Sequence, residues 1–215
     1  MKIQEYDRVL WDFNGTILDD MSLCFWCINE MLNKRGLAPL ADMEAYRQAF
    51  GFPVQTYYAR VGLEGEGEGF VRDAHEWMGL YLSKEKDLGV REGVVEALGF
   101  IQKAGVAQGI LSATESGMLM GQLSHLGLTT YFDHLFGRDD IYAADKSQIA
   151  RKYRDTHPDE KVLMIGDTVH DYETACAGGF DCVLMLGGHQ GKATLESCGC
   201  PVMEDYTALI AWMQA

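Results

Sequence analysis

Positive charge is scarce in this 215-residue chain: 18 lysines and arginines face 32 aspartates and glutamates, for a formal charge of −14. That balance argues against nucleic acid or an anionic membrane as the main partner. An anionic small molecule remains compatible if a metal or a few bases focus the field locally. Long apolar runs are also missing. Met1 to Asp7 carries no signal-type segment, and no stretch approaches bilayer-crossing length. A cytoplasmic location is the resulting expectation. The cysteines supply no metal framework. Cys24 and Cys27 have zinc-like spacing but lie in the apolar helical pattern Leu23-Cys24-Phe25-Trp26-Cys27-Ile28, and Cys198 and Cys200 are too close together to complete a site. Buried free thiols are expected instead.

The chain is long enough to bury a sizeable core. Apolar runs at residues 7–10, 106–111, 161–165 and 182–186 each end in small or polar residues. Helical patterns at 116–126, 146–154 and 172–177 separate the later runs. Strands alternating with helices predict an α/β fold with a doubly wound parallel sheet, whose ligands bind at the carboxyl ends of the strands. The alternation breaks between residues 19 and 87, where amphipathic helices are expected at 21–34, 43–50, 55–61 and 70–82, with a glycine- and glutamate-rich turn at 65–69. The expected division is therefore a Rossmann-like core of residues 1–18 and 88–215 and an all-helical insertion of 19–87, placed to act as a lid.

Chemistry-bearing residues fall at the strand ends. Asp12-Phe13-Asn14-Gly15-Thr16 follows the first run, and a carboxylate before a tight glycine turn presents a nucleophile at a sheet edge. Ser112 follows the second run, and Lys146 opens a helix in Ala144-Asp145-Lys146-Ser147. Asp167 and Asp171 lie in Gly166-Asp167-Thr168-Val169-His170-Asp171. Phosphoryl transfer needs an in-line nucleophile, neutralisation of the equatorial oxygens and a bridging metal. Asp12, Asp167 and Asp171 offer hard oxygen donors that suit Mg²⁺, and Ser112 and Lys146 suit the phosphoryl group. Asp171 is also suited to capping the next helix, and Ser112 to an ordinary turn.

Four motifs in this order, spanning nearly the whole chain, resemble the haloacid dehalogenase (HAD) superfamily, in the branch with a helical cap after the first strand. Phosphoglycolate phosphatase is the nearest analogy. The resemblance implies a phosphatase working through an aspartyl-phosphate on Asp12, with a small phosphorylated metabolite as partner. It implies catalytic roles for Asp12, Asn14, Ser112 and Lys146, and phosphate contacts from Asp12, Gly15, Thr16, Ser112, Ala113 and Lys146. It implies Mg²⁺ held by Asp12, Asp167, Asp171 and the backbone carbonyl of Asn14.

One departure stands out. In the resembling phosphatases the second residue after the nucleophile is an aspartate that protonates the leaving oxygen and then deprotonates water. The Asn14 amide neither ionises nor takes up a proton near neutral pH, so it can play neither part. General acid–base assistance is worth about 10²–10⁴-fold, so slow turnover is expected, with less penalty for groups that leave unprotonated. A HAD-fold protein that binds a metabolite or protein partner with negligible turnover is the competing class. Phosphonoacetaldehyde hydrolase also lacks that aspartate but uses a cap lysine. The comparable segment here, Phe50-Gly51-Phe52-Pro53-Val54-Gln55, has none, and Lys34 is the nearest alternative. Asn14-Gly15 is in addition a deamidation-prone pair. Arg47, Arg60 and Arg72 in the insertion are candidates to meet a substrate carboxylate or second phosphate, or else exposed helix charges; His170 and His189 are expected in loops at the active edge, with His189 the better placed as a catalytic substitute.

Overall fold

The computed structural model describes residues 2–138 and 146–215. Six strands form one parallel sheet: β1 (Arg8–Trp11), β2 (Ala107–Glu115), β3 (His134–Arg138), β4 (Val162–Gly166), β5 (Asp181–Met185) and β6 (Val202–Met203), in the order β3-β2-β1-β4-β5-β6. All residues of β1 and β4 are buried, as expected of parallel strands covered on both faces.

Side-chain alternation sorts these strands into two cores. Val9, Trp11, Leu163, Ile165, Val183 and Met185 face one apolar cluster, closed by α5 (Val94–Lys103), α6 (Ser116–His125) and α10 (Tyr206–Gln214). Leu10, Val162, Met164, Cys182 and Leu184 face the other, closed by α7 (Lys146–Thr156), α8 (Val169–Gly178) and α9 (Lys192–Glu196).

Between β1 and β2 lie α1 (Met21–Lys34), α2 (Met43–Ala49), α3 (Val54–Arg60) and α4 (Gly67–Leu82). On α1, Cys24, Cys27, Ile28, Met31 and Leu32 make one buried stripe at helical spacing. They pack with Tyr46, Tyr57, Tyr58 and Tyr81 into an apolar cluster separate from the two flanking the sheet. The Asp42 carboxylate caps α2 by accepting from the Ala45 amide at 2.8 Å.

Three boundaries differ from the sequence expectation. α4 starts at Gly67, inside the stretch expected as a turn, because only its first residues need that turn: Gly67 has φ +60. β2 runs past Ser112 to Glu115, and its pairing with β3 shifts register between Leu111 and Glu115. Ser112 therefore lies inside an irregular strand rather than after it. His170 belongs to the first turn of α8, not to a loop. Among the described residues no helix is long and apolar enough to cross a membrane.

Candidate active site

The strand order reverses direction at β1, which has β2 on one side and β4 on the other. A crevice opens at such a point beyond the strand ends. Asp12 leaves β1 with its amide bonded to the Ile165 carbonyl at 2.8 Å, and Asp167 leaves β4 beside it. Lys146 reaches in from the start of α7 and bonds the Asp12 carboxylate and Asp171 Oδ1, the latter at 2.7 Å. The Thr16 hydroxyl spans Asp12 Oδ2 at 3.2 Å and Asp167 Oδ1 at 2.9 Å. Oxygens of Asp12, Asp167 and Asp171 lie within 4.8 Å of one another. Ser112 is buried and bonds the Thr114 hydroxyl and amide, while Ala113 next to it is exposed on the same rim.

Asp171 caps the next helix, as expected, and also pairs with Lys146. Its Oδ2 accepts from the Thr168 amide at 3.0 Å, closing a capping box at the start of α8, while its Oδ1 takes Lys146. The cap orients the carboxylate that the lysine needs.

Two of the three buried carboxylates, Asp12 and Asp171, share the Lys146 ammonium, and the protonation of the cluster reflects it. Burial, together with the charges of Asp171 and Asp167, pushes Asp12 up to about 8 against the pull of Lys146. Burial also raises Asp167, with Asp171 adding to it. Asp171 is held below the usual carboxylate range, because Lys146 and Thr168 outweigh its burial. Asp12 and Asp171 lift the Lys146 ammonium above its ordinary value despite its burial. The donor set is all oxygen and carries excess negative charge, so it fits a hard divalent cation such as Mg²⁺.

Glycines permit this crowding. A Cβ on Gly188 would lie 2.2 Å from Asp167 Oδ2, and one on Gly15, at φ +73, would lie 2.5 Å from the His189 ring and 2.6 Å from Asp167 Oδ2.

Asp20, Thr114 and Arg91, which hold the site, escaped the sequence reading, and His189 was expected there as a loop residue at the active edge. Asp20 is buried and accepts from Asn14 Nδ2 at 2.8 Å, the Gly15 amide at 2.9 Å and the Tyr81 hydroxyl at 3.1 Å. The other end of Asn14 accepts from the Thr114 hydroxyl at 2.8 Å, so the amide is fixed at both ends. The Gly15 amide also bonds the Leu18 carbonyl. Its engagement opposes the attack on Asn14 that deamidation requires. His189 donates its backbone N–H to Asp167 Oδ2 at 2.6 Å, and its ring lies between Asp20 at 3.4 Å and the Tyr46 hydroxyl at 2.9 Å. Asp20 and Asp167 hold this imidazole up to about 9 even though burial alone would lower it. Arg91 bonds the carbonyls of Gly15 at 2.8 Å and Leu186 at 2.6 Å, tying the first and last loops. The only sequence signals were a second aspartate in Asp19-Asp20 and an isolated arginine before α5.

Other candidates lie elsewhere. Arg47 bonds the carbonyls of Gly188 and Gly187, and Arg60 bonds that of Ala49. Arg72 is exposed beside Asp73, and Lys34 pairs with Glu76 at the surface. Ala144 and Asp145 of the lysine motif lie outside the described residues. A cavity of about 420 Å³ leads from Asp12 and Lys146 to the helical insertion, bounded by Phe50, Tyr57, Phe70 and Trp77.

Residues 9–185 match the family model described as haloacid dehalogenase-like hydrolase. This chain belongs to that hydrolase family. A phosphoglycolate phosphatase of Nitrosococcus oceani is 26% identical over 196 residues, covering 87% of each chain. The fold of a haloacid dehalogenase-like hydrolase from Streptococcus pneumoniae superposes with TM-score 0.82 at 17% identity, over 97% of this chain and 99% of the other. A predicted phosphatase from Clostridium acetobutylicum gives 0.80 at 19% identity, over 97% and 98%. The matched span runs from β1 to β5 and includes the four inserted helices.

Proposed function

We propose that this HAD-family hydrolase is a Mg²⁺-dependent phosphatase that cleaves a small phosphate ester through an aspartyl-phosphate on Asp12, slowed by Asn14. The observation that supports it most is the buried cluster of Asp12, Asp167 and Asp171 at the switch point of the sheet, with Lys146 paired to Asp12 and Asp171. The phosphoglycolate phosphatases among its relatives are consistent with that chemistry.

In this reading Asp12, Asp167, Asp171 and the Asn14 carbonyl hold Mg²⁺, which supplies positive charge against the substrate phosphate. Asp12 attacks phosphorus, and Lys146 lowers the repulsion between that carboxylate and the anionic substrate. Ser112 and the backbone beside Ala113 hold the equatorial oxygens, with Gly15 and Thr16 closing the other side. Thr16 fixes the rotation of Asp12 so that one oxygen faces the substrate. Asn14 orients water or the phosphoryl group by hydrogen bonding but moves no proton.

The test is turnover of a panel of phosphate esters with Mg²⁺ by native protein and Asp12→Asn. Native activity should be low but abolished by the substitution. Equal inactivity of both proteins on every ester would overturn the reading.

A further inference from the structure

The cavity beyond the carboxylates is poorly matched to a second substrate charge. Its wall on the helical insertion is ring and thioether: Phe50, Phe52, Tyr57, Phe70, Trp77 and Met78 line it. Trp77 stacks on Tyr81 at 5.1 Å between ring centroids, and Phe50 stacks on His189 at 4.7 Å, so the walls present ordered ring faces. Among the described residues no arginine lines it, and the only lysine that does, Lys146, is bound to Asp12 and Asp171. The cap arginines that a substrate carboxylate would need are committed to backbone carbonyls or turned to solvent. The imidazole of His189 is neutralised by Asp20, and that of His170 lies 3.7 Å from Glu173. A carboxylate entering this space would lose its water and gain no partner cation. An aromatic ring would lose apolar hydration and gain stacking.

Asn14 points the same way. A leaving group that needs no proton is one that is stable as an anion, and a phenolate is far more stable than an alkoxide. We propose that this pocket selects a phosphate monoester of an uncharged aromatic alcohol, an aryl phosphate, rather than a carboxylate-bearing ester such as phosphoglycolate.

The proposal rests on the phosphatase reading for its chemistry. The aryl O–P bond breaks as Asp12 forms a new O–P bond, and the phenolate leaves with the electron pair and takes a proton from solvent. Water then attacks phosphorus, restores the Asp12 carboxylate and releases dihydrogen phosphate, which loses a proton to solvent. The ring sits against Trp77 and Phe70 while the phosphate reaches Lys146.

The experiment has a turnover arm and a binding arm, both with Mg²⁺. Phenyl and 2-naphthyl phosphate are compared with methyl phosphate and phosphoglycolate by kcat/KM. Benzylphosphonate is compared with 3-phosphonopropionate by calorimetry, since neither phosphonate can be hydrolysed. Aryl esters should exceed phosphoglycolate by at least about tenfold, with benzylphosphonate binding tighter by a similar factor. Trp77→Ala should reduce the naphthyl-to-methyl ratio through KM, and Trp77→Phe should restore most of it. Phosphoglycolate turned over as well as or better than the aryl esters would overturn the proposal while leaving the phosphatase intact. No turnover of any ester with benzylphosphonate still preferred would support the pocket and sink the phosphatase. Equal binding of the two phosphonates would overturn the proposal whatever the turnover.

Discussion

At the scale of single residues, Asn14 and Asp20 form a matched pair. The asparagine amide donates to the Asp20 carboxylate, and Tyr81 and the Gly15 amide complete the shell of that carboxylate. Asn14→Asp alone would set two carboxylates face to face across that 2.8 Å contact, raising the pKa of one of them. Exchanging the pair, Asn14→Asp with Asp20→Asn, keeps the hydrogen bond and puts an acid beside the nucleophile. Turnover of a poorly leaving alkyl phosphate should rise in the single variant and rise further in the exchange, by up to about 10²-fold. An exchange variant no faster than native would show that position 14 does not limit the reaction. Gly188 gives a second residue-scale prediction. A Cβ there lands on Asp167, so Gly188→Ala should weaken Mg²⁺ affinity by about 10–100-fold in calorimetric titration. Asp12, Asp167, Lys146 and Asp171 were legible in the sequence because the first two follow apolar runs and the other two lie where helices begin. Asp20, Thr114 and the partners of His189 were not, because they depend on contacts between residues distant in the chain, as in the 2.9 Å bond between Tyr46 of the insertion and His189 of the core.

At the scale of elements, α1 and α4 are clamped by charge. Arg35, in the C-cap of α1, donates to Asp73 and Glu76 of α4, both at 2.7 Å, and Asp73 is fully buried. Removing the guanidinium leaves a buried carboxylate with only the Glu64 amide at 3.2 Å and the longer Arg72 contact. Arg35→Met should therefore destabilise the protein by about 2–4 kcal/mol in urea unfolding, less than a fully buried pair because Arg35 is partly exposed. Lys34 and Arg35 hold Glu76 below its ordinary value. A depressed carboxylate contributes stability that is present above its unfolded pKa and is lost as pH falls through the folded one. Native stability should thus decline on acidification below the ordinary glutamate range, and Glu76→Gln should flatten that part of the profile. These four helices were readable from periodicity. β3 and β6 were not: β3 opens on the exposed, polar His134, and β6 has only two residues. Their strand character comes from pairing with β2 and β5 rather than from local preference.

At the scale of the whole molecule, net negative charge and a deep carboxylate cluster oppose each other unless a cation is bound. The chain carries −14, and three of its carboxylates converge within 4.8 Å. Mg²⁺ should raise the melting temperature in a concentration-dependent way, as a ligand of the native state alone does, and Asp167→Asn should remove most of that rise. The central claim is that Asp12 takes the phosphoryl group and that Asn14 leaves the second step without its base. The most direct measurement is acid-quench of protein turning over a phosphate-labelled aryl ester. A hydroxylamine-sensitive label should accumulate on the peptide containing Asp12, be absent in Asp12→Asn, and decay faster in the Asn14–Asp20 exchange. Steady turnover with label on another residue, or turnover that survives Asp12→Asn, would contradict it.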